Sequence, residues 1–451
     1  MDQTTNQPLI ELPYFLRQLP GMLKFKLIFT ILIASFILLN TLNPTIYGFH
    51  GLMPNEFIII LFFIIFAFER RILISWVDKA FFIFFALSII IPLILNYPTI
   101  NPGAFGLLLP LKTWMVYRIA LQLFRIGRQL NSTVDLIHIV LNIMIAVSAI
   151  AALIGILRYM KLANITAFIN TTWPAKEIFL NPEQFGRLSS TMSGVNGTGI
   201  FFAAITILVW YMYQQKRNPI YLTLSIYFFF TMLLTGSFTA ILCLSIACLI
   251  SYRRILYSFL SAKNVIILTF SILLISYAAI QIKPLKNFMT NVAEKRMERQ
   301  YGERVRPHQL IPYSLYGRAI RWPYQLSILS EKPIFGYGPD IPIKKLIFLS
   351  GSANTHNFYI FMLMQGGIVG FLAYLRFKFI LLKKTMTIKY DKEKDTIVAV
   401  LFIFLFSQIT SLTFQYGGIS ELYGIIMAFI FYLSVDSRKE YLEGNKAYST
   451  C

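Results

Sequence analysis

The sequence predicts an all-α membrane protein of about twelve transmembrane helices with one large polar loop, on three observations. The first is composition: of 451 residues, 57% are hydrophobic and 14% charged, with a mean hydropathy of +0.64, which is more apolar than a soluble domain can bury. The second is segmentation. Apolar runs bounded by Pro, Gly, Asn or charges fall near 27–42, 54–68, 80–95, 104–124, 134–157, 198–213, 219–235, 238–252, 264–282, 356–382, 396–415 and 418–435. The third is the exception, residues 283–355, a polar stretch holding twelve Lys or Arg against five Asp or Glu.

Charge distribution orients these runs. The net charge of +21 is gathered in short clusters between apolar runs, a pattern of membrane topology and not of a nucleic-acid surface. Lys24 and Lys26, Arg70, Arg71 and Lys79, Arg125 and Arg128, Lys216 and Arg217, and Arg253, Arg254 and Lys263 occupy alternate connections. Lys383, Lys384, Lys389, Lys392 and Lys394, then Arg438 and Lys439, continue the alternation, which places both termini in the cytoplasm. The chain divides into 1–282 (helices one to nine with a first far-side loop, 158–197), the large loop 283–355, and 356–451 (helices ten to twelve and a cytoplasmic tail). The N-terminal stretch is polar and its first apolar run lacks a small-residue cleavage site, so a retained helix is expected there. Cys243 and Cys248 share one apolar run and Cys451 ends the chain, which gives no disulfide framework.

Two helices are expected within the large loop, neither apolar or long enough to span. Phe288 to Gln300 sets Phe288, Met289, Val292 and Ala293 against Glu294, Lys295 and Glu298, as suits a helix lying along the interface. A second runs from about Ser314 to Ser330, with a bend expected at Pro323. A basic loop kept on the far side needs an anionic ligand as its reason.

The candidate chemistry lies in and around these loops. Arg318 and Arg321 stand one helical turn apart and would present two guanidinium forks on one face, suited to phosphate oxygens; headgroup contact or pairing with Glu298 or Glu303 is the alternative. Arg187 lies in Gly186-Arg187-Leu188-Ser189-Ser190-Thr191-Met192-Ser193-Gly194-Val195-Asn196-Gly197. There, small residues and a following helix N-terminus would admit an anion, unless Asn196 or Thr198 is simply a cap. His356, one of four histidines, opens an apolar helix where a neutral imidazole could take a hydroxyl proton, or could serve structure alone. Gly366, Gly367 and Gly370 lie deeper and would allow close helix packing. Lys112, Arg118, His138 and Glu421 are ionisable residues in or near apolar runs, where charge is costly. Arg118 and His138 are expected to snorkel toward the cytoplasm, and Glu421 to line the cavity.

The sequence lacks G-x-x-x-x-G-K-[ST], H-E-x-x-H and an acidic D-x-D pair in the loops, so neither nucleotide nor metal nor other cofactor is called for. A transferase of this kind would take a pre-activated, lipid-linked donor.

In four features the chain resembles the O-antigen ligase and polymerase family of bacterial inner membranes. They are Arg187 with its Ser/Gly/Asn stretch, the turn Leu234-Thr235-Gly236-Ser237, Gly317-Arg318 with Trp322 and then Pro333 to Gly338, and His356-Asn357 followed by Gly367 and Gly370. The resemblance implies a large periplasmic loop of two membrane-parallel helices and metal-independent glycosyl transfer from an undecaprenyl-diphosphate-linked glycan. It further implies that Arg187 and Arg318 handle the diphosphate while His356 serves the acceptor, with the active site facing the periplasm. Arg321, Asn357, Asn196, Trp322 and Glu421 are the expected substrate-lining residues. Phe238 departs from the family, where an arginine often follows the Thr/Ser turn, so that turn receives no catalytic role. The histidine-to-glycine spacing resembles the ligases, whose acceptor is lipid A-core sugar; a polymerase would use the same donor with the growing glycan as acceptor. A secondary transporter of twelve helices is the alternative of another class, but no half-to-half repeat is visible.

Overall fold

The computed structural model of the chain describes residues 30–38, 42, 59–64, 76–96, 108–130, 133–160, 188, 190–191, 195–251, 322–323, 325–338, 357–388, 390–410 and 419–434. Among them the secondary structure is helical, apart from one isolated antiparallel bridge between Ile388 and Ser434. Residues 30–38 and 59–64 are helical. Then follow α1 (Trp76–Asn96), α2 (Leu108–Leu130), α3 (Thr133–Tyr159), α4 (Val195–Lys216), α5 (Pro219–Leu234), α6 (Phe238–Ser251), α7 (Phe358–Met386), α8 (Asp391–Thr410) and α9 (Ile419–Leu433). Among the described residues, α1, α3, α4 and α7 are long and apolar enough to cross a membrane, and α5, α6 and α9 are shorter apolar helices.

Most expected runs reappear with edges moved for identifiable reasons. The run expected at 80–95 starts at Trp76, because Asp78 and Lys79 belong to the first turns of α1 although they interrupt its apolar pattern. The run expected at 396–415 starts at Asp391, where Asp391 and Glu393 suit the positive end of a helix dipole. Gly236 takes φ +58° in the tight turn between α5 and α6, a conformation that glycine alone adopts at little cost. The expected helices at 264–282 and 288–300 and the start of the one at 314 lie outside the described residues. That last helix is seen at 322–323 and 325–327 and closes in a 3-10 turn, Ile328–Glu331.

Between helices in hydrocarbon, close fit and polar contacts replace the hydrophobic effect as the source of association. The α2–α9 pair is the most extensive: a Cβ at Gly424 would come within 2.8 Å of the Thr113 carbonyl oxygen. Phe81 stacks on Trp114 and Phe84 on Phe377, which ties α1 to α2 and α7. Large apolar side chains such as Ile94, Phe230, Leu372 and Phe379 remain on the outside of the bundle, where acyl chains would cover them.

Arg118 corrects one expectation. It does not snorkel; it is buried, and its Nη1 lies 3.0 Å from the Asp78 carboxylate, whose other oxygen accepts from Trp114 Nε1 at 2.7 Å. Burial of the guanidinium is tolerable because a partner charge is buried with it. His138 is half-buried in α3.

Helix alternation decides which termini meet. The C-terminal ends of α1, α3 and α5 and the N-terminal ends of α2, α4, α6, α7 and α9 share one end of the bundle. Every described residue of the candidate site lies there.

Candidate functional site at one end of the helix bundle

The site is built around an interruption in α7. Gly367, with φ +60° and ψ −164°, divides α7 into two helices across a kink that folds the first back on the second: the Phe358 ring lies 5.6 Å from that of Tyr374, where sixteen residues of straight helix would span about 24 Å. The turn Pro333-Ile334-Phe335-Gly336-Tyr337-Gly338 fills the opening. Tyr337 N–H donates to the Met364 carbonyl at 2.8 Å and Gly338 N–H to that of Gln365 at 2.7 Å. Ile368 N–H and Val369 N–H donate in return to the carbonyls of Pro333 and Ile334, at 2.9 and 3.2 Å. In an unbroken helix the amides of Ile368 and Val369 would seek the carbonyls of Met364 and Gln365. The turn therefore inserts itself into two helical bonds and replaces them with four. Gly336 (φ +66°) must be glycine, since a Cβ there would lie 2.5 Å from the Gly367 nitrogen.

Helix α1 clamps this joint from the side. Its π-helical turn Ala86–Ile90 presents Ser88, whose Oγ donates to the Gly370 carbonyl at 3.0 Å and whose backbone lies against Gly366 and Gly370. At its end, Asn96 donates to the Gly336 carbonyl at 3.4 Å and accepts from Lys332 Nζ. The glycines singled out for close packing thus meet α1 and the loop turn together. Tyr337 donates to the Glu331 carboxylate at 2.7 Å, and burial raises its phenol above the ordinary tyrosine range, so it stays a donor.

Before the break, the first turns of α7 fold back beside Phe371 and Tyr374 and carry Asn357 of the expected acceptor side. Asn357 is the N-cap, its Oδ1 accepting from the amides of Tyr359 (2.9 Å) and Ile360 (3.1 Å). Trp322 packs onto a small cluster of Ile328, Tyr337, Ile360 and Met364. The chain just after Arg318 and Arg321 is thereby seated on the helix that begins one residue after His356-Asn357. Arg318, Arg321 and His356 themselves lie outside the described residues.

The Arg187 segment is fastened elsewhere on this end of the bundle. Arg187 lies outside the described residues, but its neighbour Leu188 is fully buried, and Leu188 N–H donates to the Leu234 carbonyl at 3.0 Å. Ser190 N–H donates to Thr198 Oγ1 at 3.2 Å, and Ser190 Oγ donates to the Ala151 carbonyl. Arg158 Nη1 donates to the Ser190 carbonyl at 2.8 Å. Asn196 stands half-buried in the first turn of α4, and Thr198 ties that turn to the preceding segment through Ser190. The Thr235–Ser237 turn packs on Gly199, so it supports this fastening.

Glu421 is placed in the first turn of α9, 1% exposed, with its Oε1 2.7 Å from Lys112 Nζ and its Oε2 accepting from Ser420. Its carboxylate is engaged by these two groups within the bundle. Sequence reasoning missed Asp78, Ser88, Asn96 and Arg158. It also missed Lys378, a buried ammonium that donates to Tyr423 OH at 2.7 Å and lies over the Tyr423 and Tyr374 rings. An ionisable residue inside an apolar run was a legible signal for Asp78, Arg158 and Lys378; Ser88 and Asn96 carried none.

A family model described as O-antigen ligase matches residues 220–375. The matched stretch includes the Thr235–Ser237 turn, the inserting turn and the break at Gly367, and it ends within α7. No curated protein and no solved structure matches the chain.

Proposed function

Over residues 220–375 the chain belongs to the O-antigen ligase family, and from that premise we propose that it transfers a glycan from an undecaprenyl-diphosphate carrier to a sugar hydroxyl on lipid A-core, at the periplasmic face of the bacterial inner membrane. The observation that carries the reading is the docked turn with Trp322, which seats the loop bearing Arg318 and Arg321 on the same helix whose start bears His356 and Asn357. On this reading the contact links a donor-side segment to the acceptor-side helix.

In this reading the acceptor hydroxyl oxygen attacks the anomeric carbon and the bond from that carbon to the diphosphate oxygen breaks. His356 takes the hydroxyl proton, and the diphosphate leaves on its polyprenyl chain with the bonding electrons. Arg187 and Arg318 offset the charge that grows on the departing diphosphate, as pre-placed cations in a water-poor site do most effectively. Arg321, Asn196, Trp322 and Asn357 line the substrates, while Glu421 acts from a distance by fixing α9 against α2 through Lys112. The chemistry needs neither nucleotide nor metal, because the donor is already activated.

The test is transfer from purified lipid-linked glycan, scored by gel, with lipid A-core or free glycan as acceptor. Arg187→Ala, Arg318→Ala and His356→Ala should each abolish transfer, and Arg321→Ala should be milder. Arg→Lys at positions 187 or 318 should recover little, since the planar fork is lost. Chelator should have no effect. Folded Arg187→Ala and Arg318→Ala proteins with wild-type turnover would overturn the diphosphate assignment, and chain growth on free glycan without transfer to core would identify a polymerase.

A further inference from the structure

A buried ammonium that the proposed chemistry does not use lies in the second half of α7. Lys378 follows the break at Gly367 by about 16 Å of helix at ~1.5 Å per residue and is 8% exposed. Its Nζ donates to Tyr423 OH of α9 at 2.7 Å and stands 4.1 Å from the centre of that ring, 5.1 Å from the Tyr374 ring and 5.8 Å from the Phe377 ring. A cation on aromatic faces is held more firmly away from water than at a surface. Placing it inside an apolar bundle is costly, so what it holds is informative.

Tyr374 connects this ammonium to the start of α7. It lies one turn before Lys378 on the same face, is buried, and donates from its hydroxyl to Gln408 of α8. Because α7 folds back at Gly367, the Tyr374 ring also meets the first turn of the same helix, Phe358 at 5.6 Å and Tyr359 at 6.3 Å. Tyr359 donates from its hydroxyl to the Leu405 carbonyl of α8 at 3.0 Å, and its amide is one of the two that Asn357 Oδ1 caps. A row of contacts thus runs from Lys378 through Tyr374 and Tyr359 to Asn357, each member buried or half-buried.

From this geometry we propose that Lys378 is a positioning residue for the acceptor side: by fixing the Tyr374 ring it sets the depth at which the first turn of α7, and Asn357 with it, rests in the bundle. The inference rests on the function proposed above, in which Asn357 lines the substrates. Lys378→Met combined with Tyr423→Phe removes donor and acceptor together, which leaves neither side of that bond stranded and is near neutral or stabilising. The double variant should therefore melt no lower than wild type. Its transfer should still fall, because a displacement on the order of 1 Å in a group that orients a reactant can cost about 10²-fold. That loss should appear in kcat/KM for the acceptor, with KM for the donor unchanged. Lys378→Arg keeps a cation that stacks on aromatic faces and should recover at least about tenfold over Lys378→Met.

The experiment measures steady-state transfer from purified lipid-linked glycan to lipid A-core for Lys378→Met, Lys378→Arg, the double variant and Asn357→Ser, with detergent-solution melting and hydrogen exchange of each. The amides of Tyr359 and Ile360 report the first turn directly and should exchange at least about tenfold faster in the double variant, while those of Tyr337 and Gly338 stay slow. Asn357→Ser keeps a capping oxygen and loses the carboxamide, so it tests the acceptor role apart from the helix start. Full transfer by the double variant with Asn357→Ser impaired overturns this inference alone; full transfer by folded Asn357→Ser overturns the acceptor-side function beneath it. A double variant that melts below wild type or fails to fold makes Lys378 a structural residue and overturns the proposal. Unchanged amides at Tyr359 and Ile360, or Lys378→Arg no more active than Lys378→Met, overturn it as well.

Discussion

Replacing Gly367 by alanine tests the joint in α7, because the docked turn depends on a backbone conformation that alanine adopts only under strain. The turn makes four backbone hydrogen bonds to the two halves of α7. At about 1 kcal/mol per net bond they contribute roughly 4 kcal/mol. Alanine at φ +60°, ψ −164° costs on the order of 1–3 kcal/mol, and its Cβ would lie 2.6 Å from the Phe335 nitrogen and closer still to the Ile334 carbonyl, a clash with backbone that adds to the strain. Together these offset most of what docking contributes, so Gly367→Ala should release the turn. The two halves of α7 stay folded on each other through Phe358, Tyr359 and Tyr374, and Ile368 and Val369 therefore do not regain the carbonyls of Met364 and Gln365. Hydrogen exchange read by mass spectrometry should show the amides of Tyr337, Gly338, Ile368 and Val369 all losing protection by more than tenfold. Transfer should fall at least tenfold as the loop leaves the helix. Four amides that remain slow, or Ile368 and Val369 staying slow while Tyr337 and Gly338 quicken, would refute this account of the joint.

Other expectations concern the frame around the joint. Glu421→Gln leaves the Lys112 ammonium largely buried without its counter-charge and should destabilise the protein by roughly 3 kcal/mol or more in detergent melting, whereas replacing both residues by apolar ones should restore most of it; a single-variant loss below about 0.5 kcal/mol would contradict the pair. For topology, cysteines at Ser314 and Asn170 should react with an impermeant thiol reagent in cells opened only at the outer membrane, and one at Gln215 should not; the reverse labelling would invert the orientation. For His356, transfer should fall as pH drops through a value near ~6.5, because protonation removes the lone pair that accepts the hydroxyl proton; a flat profile from pH 5 to 8 would remove its role as base.

What was readable from residues alone follows from local rules. Most helix bounds emerged from the length of apolar runs because a bilayer admits only segments that satisfy their own backbone. The order of Arg187, Gly317-Arg318, His356 and Gly367 was legible for a similar reason, since charged, small and polar residues at the edges of apolar runs stand out against hydrocarbon. Glycine spacing after His356 also announced close packing, although not against what.

Tertiary structure alone decided how the polar residues are used. Arg118 could have reached water along its own helix, but Asp78, forty positions earlier, meets it inside the bundle, and a buried counter-charge removes the need to snorkel. Glu421 pairs with Lys112, a partner more than three hundred positions earlier that its own helix does not announce. The break in α7 was legible only as the pair Gly366-Gly367, read for close packing; that the chain turns there was decided by residues 333–338, which supply four backbone partners to the two halves of the helix. The sequence by itself determined that the chain is a set of apolar helices of membrane-spanning composition, since burial and charge act residue by residue. Which helix ends meet, which charges neutralise one another and where the loop enters the bundle were decided only in three dimensions. Hydrogen bonds and ion pairs form between groups far apart in the chain, and their partners are chosen by packing.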